Sequence, residues 1–347
     1  MNEIKADTGG RMAVWDNAKA MLILLVVLGH ALYSLLEVAE IYQALYFFIY
    51  LFHMPLFMYI SGLFSRRTIQ TGAKLRQKVL GYVMLGVILK LILLLVRLIF
   101  NQFTYRSTSF SLFRETSVPW YLLVLAAYLV VTRLIKDVAP RFLLILSVVL
   151  ACLAGYDRYV GEWFLVSRFL VYYPFFLAGA FFSADRLAAW GKGIVPKAAA
   201  AVFLAVLFVL VYRYIGILHP FRELIKGGTC YYDLHKEIGK DQVLMCGLYR
   251  LFYYIVSALM CTALMWLMPA GEHSFTEVGR NTLSVYMLHR PIQLMFVYGG
   301  LSLLLVDPAQ TKIRLLYLLA SPVLVYLLSL PGWRSASDLF WKQLKNV

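Results

Sequence analysis

Ten apolar runs, near residues 17–36, 43–64, 79–99, 118–135, 141–155, 164–184, 197–216, 248–268, 281–304 and 314–330, alternate with polar connectors along the whole chain. A helix closes its own backbone hydrogen bonds, and about 20 apolar residues carry it across the roughly 30 Å hydrocarbon core of a bilayer. Runs of this length, repeated from end to end, leave little room for another architecture. The expectation is an all-α integral membrane protein with about ten transmembrane helices in one bundle, residues 1–347 forming a single domain. Of the residues, 62% are hydrophobic and 15% charged, against roughly 45–50% and 25% in soluble domains, so a water-soluble core is excluded. The fifth run is short and the ninth contains Pro291, which a membrane helix tolerates where neighbours satisfy the freed carbonyl.

Lys and Arg fix the orientation, since short cytoplasmic loops collect them. With the N-terminus inside, that side holds Lys5, Arg11 and Lys19, the cluster from Arg66 to Lys78, and Lys342 and Lys345. Much of the opposing charge lies in the long 213–250 segment, which translocates with less regard to charge. An even number of helices then puts both termini in the cytoplasm, residues 1–16 as an N-terminal segment and 331–347 as a tail. Short loops and the lack of a soluble domain suggest a bacterial inner membrane. The net charge of +15 is spread between apolar runs rather than gathered into a basic tract, so no nucleic-acid partner is expected. No Cys or His spacing suggests a metal site. Cys230 and Cys246 share one polar segment and are either a disulfide, if that segment is extracytoplasmic, or two free thiols.

An ionisable residue inside a spanning segment costs roughly 2.5–3.5 kcal/mol at the bilayer centre and is a functional candidate by default. Here the candidates are Lys19, His30, His53, Lys90, His289 and Arg290. In DNAKAMLILLVVLGH, Lys19 and His30 are eleven residues apart, about three turns, which sets both on one helix stripe roughly 16 Å apart. Lys19 falls near the cytoplasmic mouth and His30 beyond the midplane. Each has a plainer reading: a lysine that snorkels, a histidine bonded to a backbone carbonyl. The next helix runs back antiparallel with His53 in FHMPLFMYISG, at a depth that makes His30 and His53 neighbours. Pro55 is expected to kink this helix just past His53, which may alternatively serve only to cap that break, and Ser61-Gly62 to admit another backbone closely. Arg66 and Arg67 begin a basic loop, SRRTIQTGAKLRQK. It reads either as positive-inside topology or as a dock for donor phosphates. Glu37, Glu40, Glu115 and Glu162 fall at outer helix ends, and Trp120 is either a sugar-stacking platform or an interfacial anchor.

A basic residue, ten residues and then histidine, followed in order by FHMPLFMYISGLFSRR, PWYLL and YMLHRPI, resembles the membrane acyltransferase-3 family from about Asp16 to Pro291. The DNAK form, with Lys19 where arginine is commoner, resembles the fucose 4-O-acetylase branch. The resemblance implies a ten-helix bundle that moves an acyl group, usually acetyl, from cytoplasmic acetyl-CoA to a hydroxyl of a surface glycan or its lipid-linked precursor. It makes Lys19 and His30 the paired positions of the first helix, and His53 and His289 the later histidines. The expected reaction has acyl-CoA docked at Lys19, Arg66 and Arg67, with His30, His53 and His289 as catalytic imidazoles. Arg290 or Lys90 would stabilise the oxyanion, and Trp120 and Glu115 would bind the acceptor. The alternative is a multi-pass transporter or flippase for an anionic or lipid-linked substrate, whose buried charges relay protons or bind cargo.

Overall fold

The computed structural model describes residues 13–100, 117–157, 160, 165–182, 191, 193–234, 238–307 and 309–344. Among them every regular element is a helix. The first, α1 (Ala13–Tyr33), is followed by α2 (Glu40–Tyr50), α3 (His53–Thr71) and α4 (Leu75–Phe100). Then come α5 (Trp120–Leu134), α6 (Pro140–Ala154), α7 (Val166–Phe181) and α8 (Ile194–Arg213). Short helical turns between Ile215 and Leu234 lead to α9 (Lys240–Leu267), α10 (Thr276–Arg280), α11 (Thr282–Phe296), α12 (Thr311–Leu328) and α13 (Pro331–Gln343).

Central to the bundle is α1, which packs against α2, α3, α10, α11 and α12. Outward faces stay apolar: Leu91, Leu95 and Leu98 on α4, Val202, Val206 and Val209 on α8, and Leu244, Leu248 and Phe252 on α9 are all exposed. Apolar side chains on this scale need a nonaqueous surround, which lipid supplies.

Among the described residues six helices are long and apolar enough to cross a membrane: α1, the combined α2–α3, α4, α8, α9 and α12. These account for six of the about ten expected runs, the first three, the seventh, the eighth and the tenth. Helices α5, α6 and α7 are apolar but have only 15, 15 and 16 residues, about 22–24 Å at 1.5 Å per residue. The ninth run is interrupted. After α11 the chain passes through a π-helical stretch at Val297–Leu301, where Gly300 has a φ of 107°, before a short helix at Ser302–Val306.

The break in the second span lies before His53, at Leu51–Phe52, rather than just past it. Pro55 has no N–H for the carbonyl four residues back and its ring crowds that carbonyl, so the disruption falls on Leu51. Ser257 of α9 donates its hydroxyl to the Leu51 carbonyl, and the Cys261 thiol approaches that of Phe52 at 3.7 Å. Downstream, α3 crosses α7 with the backbones nearly touching. A Cβ on Gly62 would lie 2.1 Å from the Phe176 carbonyl oxygen, and one on Gly179 1.9 Å from that of Tyr59. All four cysteines are free: Cys230 Sγ lies 3.2 Å from Asp233 Oδ2, and Cys246 is carried on α9, its Sγ 3.5 Å from the Gln242 carbonyl.

Candidate active site

The DNAK segment opens α1 and is a structural node. Asp16 is fully buried, with Lys19 Nζ 2.7 Å from one carboxylate oxygen and Arg280 Nε 3.5 Å from the other. Helix α10 comes this near because Gly279 has no side chain: a Cβ there would lie 1.8 Å from the Asp16 carbonyl oxygen. Asn17, also buried, donates to the carbonyls of Pro269 and Gly271 at 2.9 Å each and accepts from the Thr276 hydroxyl at 2.6 Å. One turn of α1 is thereby tied to the loop before α10, and the Lys19 ammonium is set over the Phe64 ring at 5.4 Å.

Eleven residues on, His30 lies beside α11. The imidazoles of His30 and His289 have centroids 5.5 Å apart, and the helices are cross-linked by Gln293, whose amide donates to the Val27 carbonyl at 2.9 Å. His289 is buried, with Nδ1 2.8 Å from the Val285 carbonyl. A carbonyl only accepts, so Nδ1 carries the proton, and in the neutral ring Nε2 is the basic atom. That Nε2 is buried and has no hydrogen-bond partner among the described residues. His53, the first residue of α3, repeats the arrangement with Nδ1 2.8 Å from the Ile49 carbonyl, so it both closes the helix break and keeps Nε2 as its basic atom. The Tyr50 ring stands edge-on to His53 at 4.5 Å.

Lys19, His30, Tyr50 and His53 border one cavity of about 1110 Å³, slightly above the roughly 300–1,000 Å³ usual for small-molecule sites. At one end it is lined by Lys19, Lys74, Gln77, Lys78 and Trp341, and at the other by Tyr33, Tyr46, Glu223 and Lys226. Along α1, Lys19 and Tyr33 are about 21 Å apart, so the cavity follows most of that helix. Between its ends lie His30, His53, Arg97, Trp120, Arg168 and Arg290. Glu223 is the single carboxylate among the described lining residues.

Lys19, His30, His53, Arg290 and Trp120 thus share one chamber, with His289 against His30. Trp120 stacks on Tyr172 at 5.2 Å and lies 5.3 Å from the Arg168 guanidinium carbon. The remaining candidates lie elsewhere. Lys90 is half-buried on α4 and does not line the chamber. Arg67 is exposed, and Arg66 donates Nε to the Gly179 carbonyl at 2.9 Å and Nη2 to that of Phe182, using its fork on carbonyls at the end of α7. Glu115 and Glu162 lie outside the described residues. Among the described residues no group of three or more His, Cys, Asp or Glu side chains forms a metal site.

Several lining residues escaped the sequence reading. Lys74 and Lys78 belong to the basic loop, but a loop gives no facing; the left-handed turn at Gly72 and Lys74, with φ of 75° and 58°, sets them at the mouth. Arg97 and Arg168 stand within or beside apolar runs and carried the same signal that marked Arg290.

The imidazoles of His30 and His53, bordered by cations, thus line a polar chamber inside an apolar bundle of the membrane-protein class. A model of the acyltransferase domain matches residues 12–334. The chain belongs to the acyltransferase-3 family and is a membrane acyltransferase. Comparison with curated proteins and with solved structures found no match.

Proposed function

We propose that the protein is an O-acyltransferase that moves an acyl group, acetyl in the simplest case, from cytoplasmic acyl-CoA to a hydroxyl of a surface glycan or lipid-linked sugar, as in the fucose 4-O-acetylase branch. The observation that carries this reading is the continuity of one chamber from a lysine-lined mouth to the imidazoles of His30 and His53. Phosphates of the donor meet Lys19, Lys74 and Lys78, and the pantetheine arm extends along α1 for the roughly 16 Å that separates Lys19 from His30. The acceptor enters from the Tyr33 and Glu223 end, which on this orientation faces away from the cytoplasm across a bacterial inner membrane.

His30 takes the proton of the acceptor hydroxyl as its oxygen attacks the thioester carbonyl. The C–S bond breaks, and the proton passes to the departing CoA thiolate. The guanidinium of Arg290 stabilises the oxyanion, an electrostatic effect that is large where water is excluded. His53 borders the same space and orients the hydroxyl.

The test is purified protein in lipid with radiolabelled acetyl-CoA and a total extract of lipid-linked and surface glycans, native against His30→Ala. Base-labile label in glycan that disappears in the variant supports O-acyl transfer. Absence of label from acetyl-CoA and from longer acyl-CoAs, in protein shown to be folded, rejects it.

A further inference from the structure

The half of the chamber away from Lys19 has a chemistry that donor binding does not explain. Arg97, near the end of α4, lies about 28 Å along that helix from Lys78. Helix α4 packs against α11, and both Arg97 and Arg290 line the chamber. Nε of Arg97, and Nε and Nη1 of Arg290, are shut off from solvent and meet no acceptor among the described residues. Two cations that border one chamber at membrane depth are unfavourable unless an anion compensates them. Glu223 does not serve, because it is engaged by Lys226 at 2.7 Å. The planar fork of a guanidinium matches the paired oxygens of a carboxylate or phosphate.

We propose that Arg97 forms an anion subsite for the acceptor together with Arg290, whose several N–H donors serve both this anion and the oxyanion, so that the substrate offering the hydroxyl also carries a carboxylate or a phosphate. This rests on the transfer reading above. Donor phosphates are the other source of the same chemistry, but Lys19, Lys74 and Lys78 gather at the opposite end of the chamber, and Arg97 lies about 28 Å along α4 from Lys78.

The test uses the full-length protein in nanodiscs, titrated with glucose 1-phosphate, methyl glucuronide and, as the uncharged probe, methyl glucoside, and separately with CoA. The native protein is expected to bind the two anionic sugars about tenfold or more tighter than the glucoside, a preference that Arg97→Gln removes and Arg97→Lys partly restores. Saturating CoA is expected to leave glucose 1-phosphate affinity within about twofold. Equal affinity for charged and uncharged sugars in the native protein overturns the proposal. So does displacement of glucose 1-phosphate by CoA together with loss of CoA affinity in Arg97→Gln, which assigns the subsite to the donor. Should Arg97→Gln not fold, the native charge preference and the CoA competition still decide, and Arg290→Gln repeats the comparison. Failure of CoA to bind the native protein counts against the transferase reading alone, since the sugar titrations stand without it.

Discussion

His289 meets His30 across the contact of α11 with α1, ring centroids 5.5 Å apart, and its Nε2 is a buried acceptor with no hydrogen-bond partner among the described residues. The Val285 carbonyl fixes which nitrogen of His289 is protonated, and Gln293 fixes the two helices to each other. The pair therefore has a defined relative placement, in which one imidazole borders the chamber and the other lies behind it.

That placement gives the two histidines unequal weight. Replacing His30 by Ala is expected to lower kcat by about 10²–10⁴, the usual range for a general base. His289→Ala, acting through the orientation of His30, is expected to cost less, about tenfold to a hundredfold, with KM for acyl-CoA unchanged. Steady-state kinetics of both variants decide this. Equal losses would mean that the two rings work as one proton-handling unit, and an unchanged kcat would remove His289 from the reaction.

Asp16 carries the second prediction. Its carboxylate is wholly buried between Lys19 and Arg280, and removing one member of such an ion pair leaves charge stranded, at a cost of about 3–5 kcal/mol. Asp16→Ala is expected to lower the melting temperature markedly, because Lys19 loses its 2.7 Å carboxylate contact at a buried position while Arg280 keeps Glu272 and Glu277. Lys19→Ala leaves Asp16 with Arg280, so it is expected to raise KM for acyl-CoA with a smaller loss of stability. Thermal unfolding in detergent compares the two, and the reverse ranking would make Lys19 chiefly structural.

Part of this was legible in the sequence, and the reason is length scale. Membrane helices, the stripe of Lys19 and His30, and the close approach allowed by Gly62 follow from local periodicity and from the absence of a side chain. What was not legible depends on direction in space. Arg66 lies three residues beyond Leu63 on α3, and only the nearness of the α7 end explains why its guanidinium turns to the Gly179 and Phe182 carbonyls. The role of Asn17 was equally hidden, since its partners, Pro269, Gly271 and Thr276, lie more than 250 residues away. Helix length is subject to the same limit: hydropathy marks α5, α6 and α7 as apolar but does not set where each helix ends.

The crossing of α3 and α7 yields a third prediction. One methyl group on Gly62 or Gly179 would be driven into backbone, 2.1 Å or 1.9 Å from a carbonyl oxygen, and backbone has no rotamer by which to yield. Gly62→Ala and Gly179→Ala are each expected to cost at least the 1–3 kcal/mol typical of about one methylene of overpacking. Gly299→Ala, where a Cβ meets nothing within 4 Å, is the matched control. Unfolding curves for the three variants that coincide would mean the helices separate more readily than this contact implies.

The donor mouth gives the last. Two sets of cations follow α2: Arg66 and Arg67, which the sequence offers first, and Lys74 and Lys78, which the chamber selects. Arg67 is exposed and away from the chamber wall, and the Arg66 guanidinium is committed to α7. The double variant Lys74→Gln, Lys78→Gln is therefore expected to raise KM for acyl-CoA about tenfold or more with kcat little changed, as loss of charge-assisted contacts to phosphate does. The effect should shrink at high ionic strength, because the mouth is open to solvent and its charges are screened. Arg67→Gln is expected to leave KM within about twofold, and Arg66→Gln to act on stability through the freed α7 carbonyls. If instead Arg67→Gln raises KM as much as the lysine pair does, the phosphates dock on the outer face of the loop, and the donor reaches His30 by a path other than the chamber mouth.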